Sequence, residues 1–253
     1  MTRCVMDAAL MMATLSRPDA RDSMSLPYQQ NAWMDANAGP EILRGLRVGL
    51  LLDAGCGLSV DPDIRAAVQQ AAHVFEQAGA IVTPMKPFLT RTMLDGMDHA
   101  WRKRSHVDLL ALPEARRAMV LPFIRAWAES AADFTGTQVF NAFSQFHATR
   151  LATVAACREF DYVISPTSPV PPAGAELPSP TNDPLRPLEH IAFTVPYNMS
   201  EQPASSINCG YTQGGLPIGL QIAGQRFDDL GVLRVSRAYE QLRGAQRPWP
   251  APP

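Results

Sequence analysis

Apolar positions along the chain fall into runs of two periods. Arg47-Val48-Gly49-Leu50-Leu51-Leu52 is a nearly unbroken apolar run inside 46–52, the pattern of a strand buried on both faces. Asp61-Pro62-Asp63 follows, supplying an N-cap, a first helical residue with a preset φ, and a charge that complements the helix dipole. Ile64, Ala67, Val68, Ala71, Phe75 and Ala78 then recur at i, i+3, i+4 spacing, a core-facing stripe that Gly79 ends as a C′ residue. Ala80-Ile81-Val82-Thr83 reads as the next strand, stopped by Pro84. Strand, helix and strand in this order imply parallel strands covered by helices.

The remaining elements extend the same layering. Residues 4–15 are apolar nearly all round and predict a fully buried helix, followed by a surface loop from Pro18 to Pro27. The stretch 90–130 predicts helix with breaks at Pro113 and Pro122. Asp133 reads as the cap of a helix running to about Arg158, its apolar face carrying Val139, Phe140, Phe143, Leu151 and Val154. Further strands are expected at 161–165, 204–209 and 217–223, set off by Pro- and Gly-forced turns. Pro171–Pro187 reads as surface loop. Asp228 or Asp229 caps a last helix through Leu230, Leu233, Ala238 and Leu242, closed by Gly244, and 245–253 reads as a flexible tail. The expected fold is α/β: one mixed sheet of strands 46–52, 80–83, 161–165, 204–209 and 217–223, flanked by helices, in a single domain over 1–253.

Composition narrows the classes. A net charge of -2 gives no electrostatic reason to expect nucleic acid or an anionic membrane as partner. The one compact basic run, Arg102-Lys103-Arg104, reads as a solvated helix face. No stretch approaches the roughly 20 apolar residues that span a bilayer. Arg3 precedes the apolar run Val5–Leu15, but Asp7 interrupts it and no small-x-small site follows, so it predicts a buried helix rather than a signal peptide. Cys4, Cys56, Cys157 and Cys209 are scattered without metal-ligand spacing. They read as isolated thiols in a reducing compartment, hence a cytoplasmic location. The five histidines show no ligand spacing either, and His73 reads as a surface helix residue.

Three candidate chemistries fall away on their residues. Gly55-Cys56-Gly57-Leu58-Ser59-Val60 sits between strand and helix, but Val60 replaces the third glycine of a dinucleotide fingerprint, and Pro84-Met85-Lys86 ends the next strand where an acidic residue would hold a ribose. A flexible βα loop is the better reading. No Gly-x-Ser-x-Gly elbow exists. Cys209 has no base placed near it by the sequence, so a structural thiol is expected.

Longer motifs carry more. Pro166-Thr167-Ser168-Pro169 after a strand, Thr194-Val195-Pro196-Tyr197-Asn198, and Gly215-Leu216-Pro217-Ile218-Gly219-Leu220-Gln221 together resemble the C-terminal half of the amidase signature family. Met1-Thr2-Arg3 with Asp7-Ala8-Ala9 resembles the segment that directly follows that family's Ser/Gly-rich catalytic region. The resemblance implies a hydrolase of carboxamide C–N bonds, without cofactor or metal, acting on a small-molecule amide. It also implies a serine nucleophile activated through a second serine and a lysine. This chain has no Gly-Gly-Ser-Ser-Gly-Gly-Ser-like run; its one Ser-Ser pair, Ser205-Ser206, lies between Ala204 and Ile207 without a glycine cradle. Its two lysines, Lys86 and Lys103, lack the family lysine's context. No catalytic residue is therefore carried over. Thr167, Ser168 and Tyr197 are the positions the resemblance assigns to a substrate funnel wall.

The domain is expected to be incomplete, with an unusually apolar uncovered side of the sheet and with upstream DNA that encodes a Gly/Ser-rich run ending in Gly-Pro. A non-catalytic remnant, or a scaffold subunit whose partner supplies the Ser-Ser-Lys half, is the alternative. Homo-oligomerisation stays open. Glu201-Gln202 stands where the family's tRNA-dependent subunits carry a glycine-containing turn, which favours a general amidase.

Overall fold

The structure, a computed structural model, describes residues 1–27 and 32–248. Five strands, β1 (Arg47–Leu50), β2 (Ile81–Pro84), β3 (Tyr162–Pro166), β4 (Ala204–Tyr211) and β5 (Pro217–Gly224), form one sheet in the order β2-β1-β3-β5-β4. β1 runs parallel to β2 and β3, whereas β5 runs antiparallel to β3 and β4. These are the five strands expected from the apolar runs, and the sheet is mixed as expected.

Alternation along each strand sends side chains to two separate cores. On one face Val48, Ile164, Leu220 and Ile222 meet α2 (Pro62–Gln77) and α8 (Asp229–Leu242), with α1 (Val5–Leu15) at the margin. Phe75 of α2 and Tyr239 of α8 stack there with ring centroids 5.5 Å apart. On the other face Leu51, Val163 and Ala223 meet α3 (Arg91–Ala111), α6 (Gly136–Cys157) and α7 (Val195–Ser200). Two short helices, α4 (Glu114–Arg117) and α5 (Pro122–Glu129), follow α3, with breaks at the two expected prolines. α2 matches its sequence pattern: the Asp61 side chain accepts from the Asp63 N–H, Pro62 is the first helical residue, and Ile64, Val68, Ala71 and Phe75 are buried. Asp228 caps α8 by accepting from Gly231 N–H.

Several expectations are corrected. α1 is not fully buried: Val5 and Ala9 face the core while Leu10, Met11 and Leu15 are exposed. α6 buries the face opposite to the one expected. Ala142, Thr149, Thr153 and Cys157 pack inward, and Phe140, Phe143, Leu151 and Val154 point to solvent. Gly96 explains the choice, because its missing Cβ lets α6 come within a side chain's width at Ala142 and Gln145, closer than an aromatic face allows. The α6 cap is Thr135 in a capping box with Gln138, not Asp133. Arg102 is no part of a solvated face: it is buried against Asp98, leaving Arg104 as the exposed cation of that run. Val195–Ser200, to which the pattern assigns no element, is the short helix α7. Residues 249–253 of the expected flexible tail lie outside the described residues. The large apolar side chains left exposed cluster on α1 and α6 rather than on the sheet.

The loop after β1 is built by packing. Gly57 has φ +93, and a Cβ there would lie 2.6 Å from the Glu189 carbonyl oxygen and 2.7 Å from the Ala192 Cβ. Residues 189–192 thus fill the space that the dinucleotide alternative would have needed. Replacing Gly57 by alanine is expected to destabilise by about 2 kcal/mol or more, through left-handed strain plus the clash. Gly214→Ala, where the nearest atom is 3.7 Å away, is expected to change stability by less than about 0.5 kcal/mol. Urea denaturation of the two variants checks the contrast.

Candidate active-site wall

In open α/β sheets ligands gather beyond the carboxyl ends of parallel strands. Here that end is closed by Pro166 and continues into Thr167, Ser168 and Pro169. The Thr167 N–H donates to the Gly219 carbonyl at 2.9 Å, extending the β3–β5 ladder by one residue. Ser168 Oγ accepts from the Val170 N–H at 3.3 Å and donates to the Val170 carbonyl at 2.8 Å, a local turn that uses both functions of the hydroxyl. The Pro169 carbonyl accepts from the Asp61 N–H at 2.8 Å, which ties the turn to the start of α2.

Thr167 and Ser206 meet although their strands are not neighbours. Their hydroxyl oxygens are 2.7 Å apart, reaching over β5 at Gly219. Beneath them Gln221 Nε2 donates to Ser165 Oγ at 3.0 Å and to the Phe193 carbonyl at 2.8 Å, fixing the chain that leads into α7. Tyr197 lies deeper: it is 1% exposed, and its phenol sits beside the Cys157 thiol. Burial raises the Tyr197 phenol well above its usual range and lifts the Cys157 thiol to about 11. The structure therefore brings Thr167 and Ser168 to the accessible end of the sheet and leaves Tyr197 in the core below.

A polar cleft of ≈ 350 Å³ lies between α3 and the segment 185–189, lined by Arg91, Asp95, Asp98, His99, Arg186 and Glu189 among others. Arg91 forks onto Glu189 with contacts of 2.6 and 2.8 Å and also reaches Asp95 at 3.1 Å. Asp98 is held by Arg102 Nε at 2.7 Å and by the Trp127 indole N–H at 2.8 Å, so α5 braces the cleft from behind. Nothing in the sequence pattern singles out Glu189 or Asp98. Only the fold matches them to their long-range partners.

Among the described residues, none of these hydroxyls has a base. Ser205 Oγ bonds to Ser236 Oγ at 2.6 Å, and Ser206 bonds to Thr167. Lys103 Nζ donates to the carbonyls of Ala131 and Ala132 just beyond α5, and Lys86 is exposed. Neither lysine is bonded to a serine, and a general base has to lie within hydrogen-bond reach of the proton it takes. Burial pushes the Cys56 thiol up to about 11 and the Cys209 thiol up to about 12, far from the thiolate needed for attack. Among the described residues no group of three or more His, Cys, Asp or Glu is placed to hold a metal ion. No helix among them is long and apolar enough to cross a membrane.

The family model described as Amidase matches residues 1–233. The chain belongs to the amidase signature family. It is similar to the acylamidase of Rhodococcus erythropolis, 31% identical over 98% of this chain and 52% of that protein. It is equally similar to a glutamyl-tRNA(Gln) amidotransferase subunit of Myxococcus xanthus, 31% identical over 95% of this chain and 54% of that protein. Among solved structures, a bacterial aryl acylamidase of the amidase signature enzymes superposes with a TM-score of 0.81 at 27% identity, covering 95% of this chain and 52% of that one. A peptide amidase from Stenotrophomonas maltophilia, at 20% identity and a TM-score of 0.69, shares the fold. The chain thus spans about half the length of the relatives it matches.

The Arg91–Glu189 pair makes a pH prediction. The Arg91 guanidinium holds the Glu189 carboxyl below its ordinary value of 4.5. A carboxyl lowered in the folded state contributes stability that is present above that ordinary value and lost as pH falls through the folded one. Glu189→Gln is therefore expected to lower stability at neutral pH. The gap from the parent should shrink as pH falls from about 6 to about 3. A gap that stays constant over that range would show that the pair carries no pH-linked stability.

Proposed function

We propose that this chain forms the C-terminal, substrate-side half of a hydrolase of carboxamide C–N bonds, and that the 253-residue chain alone is inactive. The observation that carries the reading is the amidase family match combined with hydroxyls that have no base. Covalent amide hydrolysis needs an activated serine and oxyanion donors, and the sequence holds no Ser/Gly-rich run to provide them. Thr167 and Ser168 face the ligand in this reading, and Tyr197 acts from below by holding α7 in place. The domain takes in the whole chain, in a cytoplasmic protein whose four cysteines remain thiols.

The second reading, a scaffold completed by a partner polypeptide, is favoured by β4. It is an eight-residue edge strand without a charged residue or proline, whereas the opposite edge, β2, is short and ends in Pro84. Proteins protect edges that remain open, so β4 suits a neighbouring segment.

Glu201 supports the general amidase branch over the tRNA-linked one. It occupies a left-handed position, φ 58, at the end of α7, where glycine is favoured, and is clamped by Arg150 and Arg226. Such a clamp replaces the freedom of a glycine-containing turn with ion pairs.

Purified chain is expected to hydrolyse simple aromatic and aliphatic amides no faster than buffer. Turnover that persists after Ser205 and Ser206 are both changed to alanine would reveal another nucleophile and overturn the reading. Supplying the Ser/Gly-rich half of a relative in trans is expected to restore activity.

A further inference from the structure

α6 turns an apolar stripe to solvent over most of its 22 residues, about 33 Å of helix. Phe140, Phe143, Leu151 and Val154 are between 46% and 72% exposed, and the exposed His147 stands at their centre. With 3.6 residues per turn, the five positions lie within about 40° of one line along the helix, so they share a face. A solvent-facing helix surface ordinarily carries charge. From Gly136 to Thr149 this helix has no Asp, Glu, Lys or Arg, and Arg150 at the border of the stripe is committed to Glu201 at 3.2 Å. Phe143 packs edge-on against Phe146, ring centroids 5.0 Å apart, and Phe146 against Trp101, so the aromatic end of the stripe is a fixed ridge. Contiguous apolar surface left open on a folded domain marks an association site.

The order of the residues points to the occupant. Two identical helices paired antiparallel about a two-fold axis match position i with position j whenever i and j have a constant sum. The stripe is symmetric in this sense about His147. Phe140 stands seven residues before it and Val154 seven after, Phe143 four before and Leu151 four after. Each match sets a ring against an aliphatic side chain, large against small, and His147 meets its own copy. The next match, Gly136 with Arg158, lays the charge at the end of the helix over a residue without a side chain, with the exposed Asp133 three residues before that glycine as a counter-charge. We propose that α6 is the contact of a two-fold homodimer, two copies of this chain pairing antiparallel across His147. An uncharged stripe complements itself, because two copies meet without the like-charge repulsion of a charged self-contact. The antiparallel arrangement also puts opposite ends of the two helix dipoles side by side, whereas a parallel pair would set like ends together and Phe140 against Phe140. The proposal does not rest on the amidase reading.

Analytical ultracentrifugation of the full 253-residue chain over a range of concentrations is the test. The parent is expected to dimerise, and Leu151→Arg to weaken the dimer at least about hundredfold, because a two-fold contact carries the substitution twice. Leu151 is exposed, so the variant keeps its fold, which thermal melting confirms. Leu10→Arg, on the exposed side of α1, is expected to leave the dimer unchanged. His147→Cys is expected to cross-link to itself under mild oxidation, faster than the parent with its four thiols, whereas Phe140→Cys cross-links only when mixed with Val154→Cys. A parent that stays monomeric at every concentration overturns the proposal, as does a dimer that folded Leu151→Arg leaves intact or that Leu10→Arg breaks instead. Self-cross-linking of Phe140→Cys as efficient as that of His147→Cys is the signature of a parallel pair and overturns it too. Hydrogen-exchange protection of α6 that arises only when the Ser/Gly-rich half of a relative is added, without a dimer, assigns the stripe to that half and removes the second copy.

Discussion

Everything in this structure depends on β3 being buried on both faces. Tyr162–Pro166 is buried at every position, with β1 parallel on one side and β5 antiparallel on the other. It is the seam between a parallel βαβ half and an antiparallel hairpin half, and each core takes alternate residues from it: Ile164 faces α2 and α8, and Val163 faces α3 and α7. A strand in that position cannot slip by one residue without exchanging the two cores, so its register is fixed. Its carboxyl end is fixed too. Pro166 ends the strand, and the turn after it is bonded to Gly219 and to the start of α2. The site is rigid because the seam is.

The parts of the fold legible in the sequence are those where local pattern and tertiary burial agree. β1, α2 and β2 are readable because cap, stripe and stop all point the same way. The five strands are readable as apolar runs bounded by proline and glycine. The buried face of α6 is not, because its apolar and small residues lie on both sides: Phe140, Phe143, Leu151 and Val154 form one stripe, and Ala142, Thr149, Thr153 and Cys157 form the other. Periodicity says that a helix has faces, not which face a partner can approach. Steric access at Gly96 decides it, and that contact lies about fifty residues away in sequence. The burial of Arg102 is hidden for a related reason. A charge run looks solvated until a carboxylate one turn away, the Ser130 hydroxyl and the Leu185 carbonyl surround Arg102.

The site is legible only as far as its motifs. Thr167 and Ser168 can be named from Pro-Thr-x-Pro, and Gly219 lies inside Gly-Leu-Pro-x-Gly-Leu-Gln, but nothing in the sequence hints that Thr167 and Ser206 meet. Thirty-nine residues separate them, and the contact depends on the register of two ladders and on an absent side chain in the strand between. Glu189 and Asp98 are invisible for the same reason.

The division of labour that results is a physical one. Under the proposed function, binding an amide requires shape and a few fixed donors and acceptors, and the sheet end offers Thr167 and Ser168 for it. Breaking its C–N bond requires a hydroxyl to lose a proton, and so a base whose charged form is destabilised by its surroundings. In this chain the pressures run the other way. Its buried titrating thiols and phenols are pushed toward their neutral, protonated forms, and Lys103 is bonded to the carbonyls of Ala131 and Ala132 rather than to a hydroxyl. Under the proposed function an environment of this kind holds a substrate without activating a nucleophile. Under that reading the base and the oxyanion donors belong to the half supplied in trans, and the uncharged edge strand β4 is where its backbone can align.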